Sequence, residues 1–399
     1  MVTYLKTFTF TFILLTSFVG SFNWFINPFG QYASNISLKY INQQKTQIAV
    51  GGGRIFKAFA LLGTNYRVVI LGTSRANVGI DPLHPKLVDM GGAYNASLNG
   101  SNLYEIEKVF NFIVKNRKNT KLVIFSLDFI MFSNRRETNA DFDQSLFAEN
   151  YNWLSQLGYT FSLDETYYSF LTLIDNLGQK HSIYDTMYTD RGAAKQTFDA
   201  PHYVLFEKIL TDNFLVNPNT YAGFCYSQDR LMRFQRILQT AREHNIDLLF
   251  FISPIHARLL ETIHLMGLYP TFEQWKRDLV RLITENVQSN QTAFPLWDFT
   301  GYNQFTTETV PDDSNQTMQW YWEASHYQQR LGNVMLDIML SKAPTQDFGV
   351  LLTAKNIDRH LENIRQARQI YHQTHATQLA KLQQLVATHR KKLNLSCQE

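Results

Sequence analysis

Three short stretches carry residue types that together could run nucleophilic chemistry. Leu71-Gly72-Thr73-Ser74-Arg75 follows an apolar run and presents a hydroxyl just past a glycine turn. A serine placed there is accessible and has backbone N–H groups beside it, as an attacking oxygen and its oxyanion both require. Tyr94-Asn95-Ala96-Ser97-Leu98-Asn99-Gly100-Ser101 is a polar loop in which Gly100 can offer its N–H to a ligand without a Cβ in the way. Tyr321-Trp322-Glu323-Ala324-Ser325-His326-Tyr327 places a carboxylate three residues before a histidine. The carboxylate can fix the tautomer of the ring, and the free ring nitrogen can then deprotonate a serine. Each stretch alone has a blander explanation. Serines cap helices, glycines turn loops, and Glu-x-x-His pairs decorate helix faces.

Other chemistry-bearing residues lie near the same expected edge. Asp128 follows the run Lys121 to Leu127, with Asn134 a little further on. His256, in Ser253-Pro254-Ile255-His256-Ala257, could bind substrate or compete with His326 as a base. Asp298, in Leu296-Trp297-Asp298-Phe299, could orient a loop. Structural roles fit His256 and Asp298 somewhat better.

The elements that must hold these residues read as an α/β protein. Arg67 to Gly72, Lys121 to Leu127 and Asp247 to Pro254 are apolar without alternation. They are expected to be strands buried on both faces, in an open parallel sheet. Leu103 to Lys115 and Gln228 to His244 carry single apolar stripes and read as the crossover helices. Such a sheet binds ligands at the carboxyl ends of its strands, where the candidate residues stand. Residues 134–226, rich in Tyr, Phe, Asp and Asn, read as a helical insertion within a body spanning 28–345.

Both ends of the chain depart from this pattern. No charged residue occurs from Thr7 to Leu38, and Phe8 to Ile26 is strongly apolar. About 20 such residues cross a bilayer core, so residues 1–27 are expected to be an uncleaved anchor rather than a signal peptide. Lys6 and the α-amine favour a cytoplasmic N-terminus, against Lys39 and Lys45 on the other side. With no second apolar run of comparable length, everything after Pro28 should be water-soluble and on one side. Residues 346–399 form a basic tail. From Lys355 to Glu399 there is no Gly or Pro, and eight basic residues stand against three acidic. This stretch reads as one long helix. It packs on its own domain or on a twin, or touches a membrane surface through Arg390-Lys391-Lys392.

Composition excludes several classes. Of 399 residues, 45% are hydrophobic and 18% charged, so the chain is globular rather than disordered. A net charge of +3 argues against a nucleic-acid binder. Cys225 and Cys397 exclude a disulfide scaffold or a multi-Cys zinc module, and their separation argues against a bridge between them. No dinucleotide fingerprint, P-loop or zinc-protease motif occurs, so no organic cofactor and no metal is expected.

The order and spacing of the three stretches resemble the SGNH (GDSL-like) hydrolase superfamily, over roughly residues 60–340. Gly72-Thr73-Ser74 is similar to its first block, Gly100 to its second and Glu323-x-x-His326 to its last. With the anchor, the chain looks most like the membrane-bound cell-envelope branch related to alginate and teichoic-acid modification proteins. Thr73 stands where that family has Asp, Glu323 also replaces Asp, and Ser126-Leu127-Asp128 occupies the place of Gly-x-Asn. An Asn amide would donate to an oxyanion, whereas an ionised Asp128 would repel it. Either Asp128 is protonated, or another donor such as Asn134 substitutes, or catalysis is weak or absent.

The resemblance implies a three-layer fold in which Ser74 is nucleophile, His326 base and Glu323 its partner. Gly100, Asp128, His256 and Arg75 would surround the oxyanion or substrate. It implies an esterase or acyltransferase on acylated envelope glycans, in the inner membrane with its soluble body in the periplasm. The alternatives are a catalytically silent binding or scaffold protein of an envelope assembly, and a structural protein dimerised through its tail.

Overall fold

In a computed structural model of the chain, the described residues are 1–399 except 31, 33–35, 48–52, 141, 144, 149–152, 180–187, 190, 196–199, 289–290, 314–315, 343–347, 391–396 and 398–399. The apolar N-terminal run is one helix, α1 (Val2–Ile26), long and apolar enough to cross a membrane. Most of its side chains are exposed. A second helix, α2 (Arg54–Gly63), leads into β1 (Val68–Leu71), all four residues of which are buried. Two short helices, α3 (Ser74–Gly79) and α4 (Pro85–Asp89), return the chain to β2 (Ala93–Asn95). Next, α5 (Leu103–Asn116) crosses to β3 (Leu122–Leu127). Asn102 starts α5 by accepting the Glu105 N–H at 3.0 Å, as an N-cap should.

Beyond β3 come α6 (Trp153–Thr160), α7 (Leu163–Leu177) and α8 (His202–Lys208), the last running into a π-helical turn, Ile209–Leu215. The crossover pattern resumes with α9 (Gln228–Glu243) and β4 (Asp247–Ile252). It continues through α10 (Ala257–Leu265) and α11 (Tyr269–Glu285) to β5 (Leu296–Asp298). The chain then passes through α12 (Gln329–Ser341) to β6 (Val350–Leu352).

The sheet order is β2-β1-β3-β4-β5-β6, parallel throughout except for β6, which runs antiparallel to β5 at the edge. The order reverses between β1 and β3. In open α/β sheets a ligand crevice opens at such a reversal, and Ser74 is the first helical residue after β1.

Two expectations for the C-terminal segment are corrected. The single tail helix is broken into α13 (Ile357–Thr374) and α14 (Ala376–His389). The break lies at His375, whose ring stacks on Tyr371 with centroids 4.2 Å apart. Ile357, Leu361, Ile364, Tyr371, Leu379, Leu382 and Val386 are all buried against the chain's own body. The apolar stripe is therefore consumed within one molecule, and α13 is tied down by Arg365 to Glu273 (2.6 Å) and Arg368 to Glu261 (2.8 Å). His389 and Arg390 are exposed, while Lys391, Lys392 and Leu393 lie outside the described residues.

The second correction concerns the cysteines, which are joined in a disulfide across 172 residues. Distance along the sequence is no obstacle once α14 folds back onto α10 and the π-helical turn. Closing so long a loop restricts the unfolded chain, by about 5 kcal/mol in the chain-entropy picture.

Candidate active site

The strand β1 leads directly into the turn that carries Ser74. Thr73 is extended at the N-cap of α3, and its hydroxyl accepts the Arg75 N–H at 3.3 Å. Ser74 is half-exposed while its neighbours Thr73 and Arg75 are buried. Its Oγ lies 2.7 Å from His326 Nε2. His326 Nδ1 in turn bonds Glu323 Oε1. Glu323 is wholly buried and receives two further donors, the Ser325 N–H at 2.8 Å and the Ser325 hydroxyl at 3.0 Å. Burial alone would raise the Glu323 pKa. The adjacent imidazole and these hydrogen bonds outweigh it and hold the carboxyl below its usual value.

Glu323 and His326 do not sit on a helix face. They lie in a tight loop closed by a bridge between Tyr321 and Tyr327 and by the Trp322 N–H to His326 carbonyl bond of 2.9 Å. That loop is pressed onto α3 by glycines. A Cβ on Gly79 would lie 2.1 Å from the buried Tyr327 ring, and one on Gly332 of α12 would lie 1.8 Å from the Gly79 carbonyl oxygen. Gly79→Ala must push the His326 loop off α3. A misplacement of about 1 Å costs about 100-fold in catalysis. If Ser74 and His326 work as a catalytic pair, the variant should therefore lose about that much kcat/KM while keeping its circular dichroism spectrum.

Asp128 directly follows β3 and is buried, but it faces Arg75 at 2.8 Å and accepts the Thr73 hydroxyl at 2.5 Å. Burial works against the Arg75 charge, and the Asp128 carboxylate more than offsets it, leaving the guanidinium pKa raised. The Asp128 carboxylate is thus paired with the residue beside Ser74. Asn134 spends its backbone N–H on the Cys225 carbonyl at 3.0 Å.

The Gly100 loop packs on the Ser74 turn. The Leu98 N–H reaches the Gly72 carbonyl at 3.0 Å, and the Asn77 amide donates to Asn99 Oδ1 at 2.8 Å. Gly100 has φ +69°, a left-handed conformation that suits glycine. Among the described residues no acceptor takes the N–H of Ser74 or of Gly100.

Several residues around this centre were not singled out in the sequence. Arg136 approaches Gly100, its Nη2 standing 3.1 Å from where a Cβ would be. Lys57 is wholly buried and donates to Asn77 Oδ1 at 2.7 Å and the Ser97 carbonyl at 2.6 Å. Burial, then the nearby Arg54 charge, lower its pKa well below the ordinary value. Arg54 itself pairs with buried Glu105 at 2.6 Å. The available signal was a pair of cations on an otherwise apolar helix, Arg54-Ile55-Phe56-Lys57-Ala58-Phe59.

His256 braces the His326 loop from behind, its backbone N–H donating to the Ala324 carbonyl at 3.1 Å and its ring meeting Tyr321 edge-on with centroids 5.2 Å apart, whereas Asp298 has partners of its own. The His256 Nε2–H donates to the Glu308 carbonyl at 2.7 Å, and Nδ1 caps α10 by accepting the Arg258 N–H at 3.1 Å. Burial pushes its pKa down to about 3. An unfolded histidine titrates at about 6.5, so between these values the unfolded chain holds one more proton than the folded one. Stability therefore falls as pH drops from 6.5 towards 3, by about 1.4 kcal/mol per pH unit for this group. A His256→Asn variant should show a shallower loss of denaturation midpoint from pH 6.5 to 4.5 than wild type. Asp298 is buried against Lys276 (2.7 Å) and His360 (2.8 Å), and also accepts from the Thr300 hydroxyl. Burial opposes its charge, but Lys276 and His360 hold its pKa far below the usual carboxylate range.

Among the described residues, no group of three or more His, Cys, Asp or Glu is placed to hold a metal ion. Comparison of the chain with protein-family models, with curated proteins and with solved structures returns no match, so the site is interpreted from its own geometry.

Proposed function

We propose that this chain is a membrane-tethered serine esterase or O-acyltransferase of the SGNH type, acting on acylated cell-envelope glycans. The observation that carries the proposal is the continuous relay from Ser74 Oγ through both nitrogens of His326 to buried Glu323. In the proposed reaction Ser74 Oγ attacks the ester carbonyl and passes its proton to His326 Nε2. The Glu323 carboxylate stabilises the imidazolium that forms. The Ser74 and Gly100 N–H groups receive the oxyanion. Collapse breaks the ester C–O bond, and His326 returns its proton to the departing alcohol oxygen. Water or a sugar hydroxyl then gives its proton to His326 and attacks the acyl-Ser74 ester. As the second intermediate collapses, His326 returns that proton to Ser74 Oγ, which frees the serine and yields an acid or a new ester.

The sheet reversal beside β1 supports the three-layer SGNH reading, as does the arrival of the serine, glycine and histidine segments at one place. The Asp128–Arg75 pair removes the electrostatic objection to an Asp in that position. The Cys225–Cys397 disulfide supports an oxidising compartment for the soluble body. With α1 as inner-membrane anchor, that compartment is the periplasm. Purified full-length protein should release p-nitrophenol from its acetate ester, with a burst if deacylation is slow. No release above buffer from folded protein would contradict the proposal. It would favour a silent scaffold instead.

A further inference from the structure

The helix α7 is built inside out. Leu163, Tyr167, Phe170, Ile174 and Leu177 recur at helical spacing on one face, and all five are exposed, from 51% at Phe170 to 84% at Leu163. The opposite face carries Glu165, Ser169, Thr172 and Asn176, and all four are buried. That polar face is engaged by the chain that follows α1. The Tyr32 hydroxyl donates to Glu165 at 3.0 Å, and Asn176 exchanges hydrogen bonds of 3.0 and 2.9 Å with the Gln44 backbone. Neighbouring α6 adds exposed Leu154 and Leu157, and Phe161 follows it. A water-facing helix has the reverse pattern, and a monomer rarely leaves so much contiguous apolar surface in water.

We infer that α6 and α7 bed their apolar residues in the lipid bilayer beside α1, as a second membrane contact of the folded body. Lipid is the occupant because the patch continues an apolar helix long enough to span. Phe22 of α1 packs on Phe170 with ring centroids 4.8 Å apart. Asn23, buried within α1, donates to the Thr166 hydroxyl and the Thr160 carbonyl, both at 2.9 Å. A Cβ on Gly20 would overlap the Phe161 ring. These contacts fall in the last two turns of α1, where it leaves the hydrocarbon. Fifteen residues of helix extend about 22 Å, too short to span, so α7 lies in the boundary region rather than across it. These two helices would fix the height and tilt of the Ser74 site above the membrane.

The test uses full-length protein in vesicles of phosphatidylcholine and phosphatidylglycerol, with the native cysteines left in their disulfide. Nitroxides are attached at Phe170→Cys, Ile174→Cys, Asp164→Cys and Leu14→Cys, one per variant. Collision with lipid-soluble oxygen is then compared with collision with a water-soluble nickel chelate. Residues 170 and 174 should resemble Leu14, with oxygen dominating, and 164 should favour nickel. Nickel reaching 170 and 174 as freely as 164 would overturn the inference. Exclusion of both agents at 170 and 174, the mark of a protein cover, would overturn it equally. The readout is position rather than turnover, so it stands or falls separately from the proposed activity.

Discussion

Ser74→Ala should reduce ester turnover by at least about 10³-fold, to the level left by binding and oxyanion contacts alone. The hydroxyl that His326 Nε2 contacts at 2.7 Å is the only part removed. The site is half-exposed and the side chain small, so the fold should be unchanged. The loss should appear in kcat rather than KM, because bond making to Ser74 occurs in the transition state and not in the bound ester. Steady-state kinetics on p-nitrophenyl acetate check this, with the denaturation midpoint as the control for folding. Equal turnover in wild type and variant would mean that the hydrolysis belongs to another group.

Glu323→Gln should cost about 10²- to 10⁴-fold in kcat. The carboxylate accepts from His326 Nδ1 and from both Ser325 donors, so it holds the ring as the tautomer whose Nε2 is a bare acceptor towards Ser74. A Gln amide can offer its N–H₂ to Nδ1, which would move the ring proton to Nε2 and point it at the nucleophile. It also removes the charge that stabilises the imidazolium. Two consequences separate this from simple loss of packing. Glu323→Asp should recover part of the rate, because it restores the charge. Ser74 in the Gln variant should also react more slowly with an active-site phosphonylating reagent while remaining in a folded protein. A Gln variant within threefold of wild type would place the carboxylate outside the reaction.

The parts of the fold visible in the sequence are those where burial is two-sided and long. β1, β3 and β4 are apolar on both faces and stand where the unalternating runs placed them, and α5 and α9 follow their stripes. The strands β2, β5 and β6 have three residues each, too few to show any period. α1 was legible from its lack of charge.

The site was legible only as residue types. Nothing periodic relates Ser74 to His326 across 252 positions. Their expected meeting came from resemblance, and the contact itself depends on Gly79 and Gly332 letting two segments close. Asp128 looked hostile to catalysis because a sequence does not reveal that Arg75 turns back to pair with it. The tail reads as one helix because it contains neither Gly nor Pro from Lys355 onward. His375 breaks it without either, and α14 then carries Cys397 back to Cys225.

The most direct measurement is the site of covalent capture by a fluorophosphonate, mapped by mass spectrometry on the intact, disulfide-bonded chain. A serine polarised by His326 should take the phosphonyl group at Ser74 alone, and Ser74→Ala should take none. Labelling at Ser325, whose hydroxyl lies 3.0 Å from the other ring nitrogen, or no labelling of a folded protein, would contradict the account.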